Sequence, residues 1–215
     1  PDALTDATAD LTLALLLAAA RRLPQAAQDV RDGAWRTWEP AGWLGLELRG
    51  ARLLVVGPGR IGTAVAQRAA AFGMEVETAG RADDLHAALA RADVVTLHAP
   101  LTDATYHLIG RAALAAMRPG AILVNTARGG LVDQVALRVA LVAGALGAAA
   151  LDVTDPEPLP PDDPLLTAPN LIVLPHIGSA TTAARERMAQ LAVANLIAAL
   201  DGRPMPTPAP GTIPA

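Results

Sequence analysis

Arg128 in Asn125-Thr126-Ala127-Arg128-Gly129, Glu157 in Asp155-Pro156-Glu157-Pro158 and His176 in Pro175-His176-Ile177-Gly178-Ser179 each lie just past a strand-like apolar run. An open α/β sheet presents its ligands at that edge. Together these residue types can reduce a 2-keto acid, which needs a cation for the carboxylate, an acid for the carbonyl oxygen and a hydride source nearby. Arginine grips a carboxylate bidentately with its planar fork. Histidine ordinarily titrates near pH 6.5 and can give up a proton at working pH. A glutamate bonded to the imidazole fixes its tautomer and favours its protonated form. Taken singly, each has a structural explanation: a loop brace, a solvated acid between prolines, a satisfied histidine at a strand end. Their common location joins them. His86, His98 and His107 lack comparable partners and read as surface or loop residues, although His98 ends a strand near the expected ligand crevice.

The hydride source is written in Gly57-Pro58-Gly59-Arg60-Ile61-Gly62, a G-x-G-x-x-G turn directly after an apolar strand and opening a helix. In such a turn the first glycine permits the tight bend, the second lets the backbone approach a pyrophosphate, and the third lets helix pack on strand. The helix N-terminus then offers free N–H groups to the phosphate. With no second flavin-type segment, a nicotinamide cofactor is expected. The next strand ends Glu77-Thr78-Ala79-Gly80-Arg81. An acid at the strand tip would hold a ribose 2′-hydroxyl, whereas an arginine there accepts a 2′-phosphate. Glu77 falls inside the strand, Gly80 clears space and Arg81 supplies charge, so NADPH is preferred, with NADH as the alternative and a solvated loop charge as the other role for Arg81.

These motifs need a sheet to hold them. Apolar runs at 53–56, 76–79, 94–97, 122–124, 148–151 and 171–174 are continuous rather than alternating. Such strands are buried on both faces, as in a parallel sheet covered by helices, and an α/β doubly wound (Rossmann) fold follows. Crossover helices are expected over 61–72, 84–91, 112–117 and 133–143. Pro156, Pro158, Pro160, Pro161 and Pro164 rule out a helix between the last two strands and predict a rigid loop over the carboxyl edge. Before the sheet, Thr5 or Asp6 can cap a helix running to about residue 22, apolar on nearly every face. Residues 24–50, with three Trp, read as an irregular arm with at most a short helix. After the sheet, 181–200 forms a long amphipathic helix, and 204–214 is a proline-rich tail not expected to pack. The division is thus helix and arm 1–50, nucleotide-binding domain 51–180, final helix 181–203 and tail 204–215.

With 215 residues, 52% of them hydrophobic, the chain can bury one substantial core, and its aromatics are confined to Trp35, Trp38, Trp43, Phe72 and Tyr106. A net charge of -4 and a pI near 5.5, without a basic cluster, argue against a nucleic-acid surface. Zero cysteines exclude disulfides, thiolate catalysis and cysteine-bound zinc, and fit a reducing cytoplasm. The apolar run 11–20 is too short to span a membrane, and its flanking charges are the reverse of a signal peptide's.

At these motifs, and over nearly its full length, the chain resembles the D-isomer-specific 2-hydroxyacid dehydrogenases. The similar segments include Thr8-Ala9-Asp10, Gly57 to Gly62, Asn125 to Gly129, Leu151-Asp152-Val153 and Pro175 to Ser179. The resemblance implies catalytic roles for Arg128, Glu157 and His176. Within the family, the Leu151-to-Pro160 and Pro175-to-Thr181 segments look most like the glyoxylate/hydroxypyruvate reductase branch. That likeness implies NADPH contacts at Arg60, Ile61, Pro100, Thr105, Thr126 and Gly178, a carboxamide partner in Asp152 and a substrate contact at Ser179. It also implies a homodimer through the first helix and the Trp-containing arm, with Trp38 reaching toward the neighbouring site. Other D-2-hydroxyacid dehydrogenases, including a phosphoglycerate type, and a nucleotide-sensing, corepressor-like protein or cofactor-binding remnant share these features. By the same resemblance, Pro1 falls where a flavodoxin-like substrate domain of about a hundred residues would hand over to the nucleotide domain. The loops of that domain would supply N–H groups to the substrate carboxylate and close the cleft.

Overall fold

The six apolar runs form six parallel strands in a computed structural model that describes residues 3–208: β1 (Arg52–Val56), β2 (Glu75–Ala79), β3 (Val94–Leu97), β4 (Ile122–Asn125), β5 (Ala148–Leu151) and β6 (Leu171–Val173). Their order across the sheet is β2-β1-β3-β4-β5-β6. The chain therefore runs outward from β1 to β2, then crosses back to β3. The switch point lies between β1 and β3, where two loops leave the sheet in opposite directions and open a crevice at the carboxyl edge.

The four inner strands, β1, β3, β4 and β5, bury alternate side chains in two separate cores. Leu54, Val95, Leu97, Leu123 and Leu151 face α4 (Leu85–Leu89), α5 (Arg111–Ala116) and α6 (Gln134–Val142). Leu53, Val55, Val94, Ile122 and Val124 face α1 (Thr5–Ala20) and α3 (Arg60–Ala71). This double burial is what the unbroken apolar runs encode. On β5 the residues turned to α1 are only Ala148 and Ala150, which join a cluster with Ala9, Leu13 and Leu16 of the helix. Two methyl groups are thus all that β5 places under α1.

α1 buries Ala7, Thr8, Ala9, Thr12, Leu13, Leu15, Leu16, Ala19 and Ala20, as its all-round apolar sequence requires. Its start differs from expectation. Leu4 takes the cap position without a side-chain bond, and Thr5 is already helical. Asp6 and Asp10 instead bind Arg68 of α3, at 2.8 and 2.7 Å.

The arm opens with one short helix and is otherwise irregular. Arg22 at φ 53° breaks the helix, and Pro24 falls in the first turn of α2 (Leu23–Arg31). A fixed φ and a missing N–H suit proline there. Beyond it, Trp35 and Trp38 are 68% and 79% exposed, while Trp43 lies under the Arg22 guanidinium at 4.8 Å.

No α-helix joins β5 to β6; the proline-rich link carries one short 3₁₀ turn, Pro164–Thr167. α7 (Thr182–Leu200) begins with the Thr181 hydroxyl accepting from Ala184 N at 3.1 Å. It is not cleanly amphipathic: Ala184 and Ala198 are its buried residues, and Val193, Leu196, Ile197 and Leu200 stand exposed. The start of the tail also departs from expectation. Asn195 clasps Thr207, donating to its carbonyl at 3.0 Å and accepting from its N–H at 2.9 Å. The expectation for 209–215 lies outside the described residues. Among the described residues no helix is long and apolar enough to cross a membrane, and no group of three or more His, Asp or Glu could hold a metal ion.

Candidate active site

Gly57 begins the crevice. Its φ of 89° lies in the left-handed region, and a Cβ there would stand 2.6 Å from Ala99 N and 2.8 Å from the His98 carbonyl carbon. Only glycine allows the β1 and β3 exits to meet so closely. A Cβ on Gly62 would overlap the Gly57 carbonyl, whereas one on Gly59 would meet open space. α3 starts immediately after Gly59, and no side chain caps it. An open floor beneath uncapped helical N–H groups fits a dinucleotide pyrophosphate. Across the crevice, the Thr105 hydroxyl donates to Pro100 O at 2.7 Å and closes its loop on itself.

At the tip of β2, Glu77 lies within the strand and is engaged by Arg91 at 2.5 Å. Arg81 is exposed just beyond. The Gly80 N–H donates to Asp83 Oδ2 at 2.7 Å, a carboxylate at the strand tip that the motif reading overlooked.

The Arg128 loop is braced from within. Asn125, fully buried, donates from Nδ2 to Arg128 O at 2.9 Å and accepts the Ala127 N–H at 3.0 Å. The Arg128 guanidinium is exposed and spends one N–H on Ala127 O at 2.6 Å. Gly129 lies flat against the neighbouring loop, where a Cβ would overlap the Thr154 carbonyl and stand 2.7 Å from Asp155 N. Gln134 fastens the same neighbour from α6: its side-chain carbonyl accepts the Asp155 N–H at 3.2 Å, and its amide donates to Asp155 O. Neither contact is written in a local motif.

Two residues beyond Asp155, Glu157 Oε1 meets His176 Nδ1 at 2.5 Å, both side chains being roughly half exposed. With Nδ1 committed, Nε2 is the ring nitrogen left to meet a substrate oxygen. His176 sits at φ 53°, and its N–H donates to Asp152 O at 2.9 Å. The Asp152 carboxylate, 1% exposed, accepts Ile177 N at 2.7 Å and Gly178 N at 2.8 Å. Burial pushes the Asp152 carboxyl above the usual range, and the two amides and the nearby imidazole work against that. Glu157 and His176 share a cavity of about 250 Å³ with Leu159, Leu166 and Val173. A larger groove of about 550 Å³ beside α6 contains neither Arg128 nor His176.

Two threonines of α1 reach this edge. Thr8 Oγ1 donates to Gly178 O at 3.2 Å, and Thr12 Oγ1 donates to Thr8 O at 2.8 Å. Thr12 also pairs with the hydroxyl of Thr126, itself buried, at 2.8 Å. Ser179 is half-buried next to Gly178.

His98 departs from its reading as a surface or loop residue. Burial lowers its pKa to about 4, and its Nε2 is buried without a hydrogen-bond partner. His107 is exposed and stacks on Tyr106 at 4.0 Å; His86 is exposed on α4.

Residues 13–178 match the family model described as the NAD-binding domain of D-isomer specific 2-hydroxyacid dehydrogenases. The chain is 47% identical over 212 residues to the glyoxylate reductase of Korarchaeum cryptofilum, covering 92% of this chain and 64% of that protein. To the glyoxylate/hydroxypyruvate reductase B of Pectobacterium carotovorum it is 46% identical over 216 residues, covering 94% and 68%. The crystal structure of the TT0316 protein from Thermus thermophilus superposes with a TM-score of 0.93 at 56% identity, over 97% of this chain and 69% of that one. The chain thus spans about two thirds of the length of the relatives it matches.

Proposed function

The chain belongs to the D-isomer-specific 2-hydroxyacid dehydrogenase family through its nicotinamide-dinucleotide-binding domain, and we propose that it serves the NADPH-dependent reduction of glyoxylate or hydroxypyruvate to the D-2-hydroxy acid. The observation that carries this reading is the His176–Glu157 pair at 2.5 Å, held at the carboxyl edge of the sheet by the loops after β5 and β6, next to the Arg128 loop after β4. Arg128 anchors the substrate carboxylate. Glu157 holds Nδ1 and so presents the Nε2 proton to the substrate carbonyl oxygen. Ser179 borders the same oxygen, and Gly178 beside it contacts the cofactor.

Gly57, Gly59 and Gly62 form the floor for the pyrophosphate, with Arg60 and Ile61 in the first helical turn above it. Pro100, Thr105 and Thr126 line the opposite wall, and Asp152 lies beneath the nicotinamide end. Bound NADPH supplies the hydride. Gly80 and Arg81 favour a 2′-phosphate, and Glu77, already engaged by Arg91, is poorly placed to hold a ribose hydroxyl. A homodimer would form through α1 and the arm, whose exposed Trp35 and Trp38 offer it apolar surface, with Trp38 the residue to reach toward the partner's site. The lack of cysteine fits the cytoplasm.

Loss of NADPH absorbance on adding glyoxylate or hydroxypyruvate to the complete gene product tests the activity. Turnover of another keto acid but neither of these would discard the substrate assignment. Tight NADPH binding with no turnover of any keto acid would favour a nucleotide-sensing protein instead.

A further inference from the structure

The hydroxyl groups on α1 form a directed chain. Thr12 has one proton, and it goes to Thr8 O; the Thr126 hydroxyl must therefore donate to Thr12 Oγ1, while Thr8 donates to Gly178 O. All three threonines are almost fully buried, at 4%, 0% and 7% exposure for Thr8, Thr12 and Thr126. Polar groups so enclosed and so fully paired resist rearrangement, because any slip leaves one of them without a partner.

Each end of the chain lies beside a different part of the candidate site. Thr126 is two residues before Arg128, and Gly178 is two after His176. The His176 turn is under particular constraint. A histidine at φ 53° occupies a region that non-glycine residues seldom adopt, and the surroundings must hold it there. Asp152 takes the two N–H groups that follow, at Ile177 and Gly178, which fixes one side of the turn. Thr8 fixes the other, through the Gly178 carbonyl. Gly178 is wedged between the two: a Cβ there would stand 3.1 Å from Asp152 Oδ2 and 3.3 Å from Thr8 Oγ1.

We infer that Thr8 and Thr12 are positioning residues: through this hydroxyl chain, α1 holds the His176 turn and the Arg128 loop in fixed relation to one another. They touch no substrate. Thr8 acts on the imidazole through Gly178, and Thr12 acts on the guanidinium through Thr126. The inference rests on the proposed roles of His176 and Arg128, and its test has a readout independent of turnover.

In the complete gene product, Thr8→Val keeps the side-chain shape and removes the donor. It should lower kcat about tenfold, with a smaller change in KM for NADPH, which Gly178 contacts. It should also broaden or shift upfield the His176 Nδ1 proton resonance, which reports the bond to Glu157. Thr8→Ser should restore both. A Thr8→Val protein with an unchanged resonance and kcat, whose melting temperature alone falls, would overturn the inference, as would a serine variant that behaves like valine. Should Thr8→Val fail to fold, Thr12→Val carries the test. It should raise KM for the keto acid three- to tenfold with kcat within twofold, reversed by Thr12→Ser, and an unchanged KM would overturn the inference. A wild-type protein that reduces no keto acid, yet whose resonance moves in Thr8→Val, would sink the proposed activity while leaving the positioning role in place.

Discussion

Gly129→Ala is the sharpest probe of how the Arg128 loop is seated. A Cβ at this position overlaps the Thr154 carbonyl and stands 2.7 Å from Asp155 N. Those are backbone atoms, so no side chain can turn aside to make room. Ordinary contact for a methyl carbon begins near 3.5 Å, and to clear the Thr154 carbonyl the two loops would have to part by about 1.5 Å. One carries Arg128; the other leads through Asp155, which Gln134 pins to α6, to Glu157 and its bond with His176. If Arg128 and His176 act as proposed, a displacement of 1 Å or more between them costs at least about a hundredfold in rate, or about 2.7 kcal/mol of transition-state stabilisation. The Gly57–Gly62 turn belongs to a different pair of loops, and Thr126, which shares the Arg128 loop and lies on the cofactor's wall, is tied to α1 through Thr12. Steady-state kinetics with glyoxylate and hydroxypyruvate should therefore show kcat/KM falling about a hundredfold, while NADPH binding followed by calorimetry stays within threefold of wild type. A Gly129→Ala protein with kcat/KM within threefold of wild type would show that the Arg128 loop does not need this contact. An equal loss of cofactor affinity would point to general unfolding of the edge.

Arg81→Ser should raise KM for NADPH at least tenfold and leave KM for NADH within twofold; unchanged discrimination between the two would remove Arg81 from the 2′-phosphate site. Asp152→Asn keeps the shape but replaces an acceptor of two amides with a group that can accept one and turns an NH₂ toward the other. It should cost about 2 kcal/mol in chemical denaturation and lower kcat, and full stability in the variant would refute the account of the turn. The pH dependence of stability should carry the mark of His98. Its folded pKa of about 4 lies below the unfolded value near 6.5, so the unfolded chain takes up the proton first as pH falls. Stability is then unaffected by this group above pH 6.5 and declines between pH 6.5 and 4, by about 3 kcal/mol at the lower end. His98→Gln should flatten that decline in denaturation curves, and an identical slope in variant and wild type would assign the loss elsewhere.

The parts of the fold that could be read from sequence are those whose signal is local. Strands buried on both faces carry it in four or five consecutive apolar residues, and the proline-rich link excludes a helix by chemistry alone. Gly57 and Gly62 declare themselves because their turn has a fixed spacing. The start of α2 was also written locally, in Pro24 at the first turn, but the surrounding tryptophans and glycines obscured it. What escaped depends on residues distant in sequence. Thr8 bonds to a carbonyl 170 residues away, and within α1 a pair of threonines looks like any polar interruption of an apolar helix. Gln134, Asp83 and Asn195 serve backbone groups that no periodicity marks. His98 ends a strand, where a polar residue ordinarily meets solvent; its burial depends on what else closes over the strand end. Candidate site residues could be chosen by type and spacing, whereas the contacts that support them could not.

The two alanines that β5 turns toward α1 set how the chain can vary. Because only methyl groups separate the helix from this strand, the helix has a fixed standoff from the sheet. A valine at position 150 would lift α1, and with it the hydroxyls of Thr8 and Thr12, away from the loops they hold. Sequence drift at this seam should therefore be paired. Among natural variants of this chain, a larger residue at 148 or 150 should travel with a smaller one at Ala9, Leu13 or Leu16, so that a volume rule in the core, far from any reacting atom, limits which sequences keep the active edge in register.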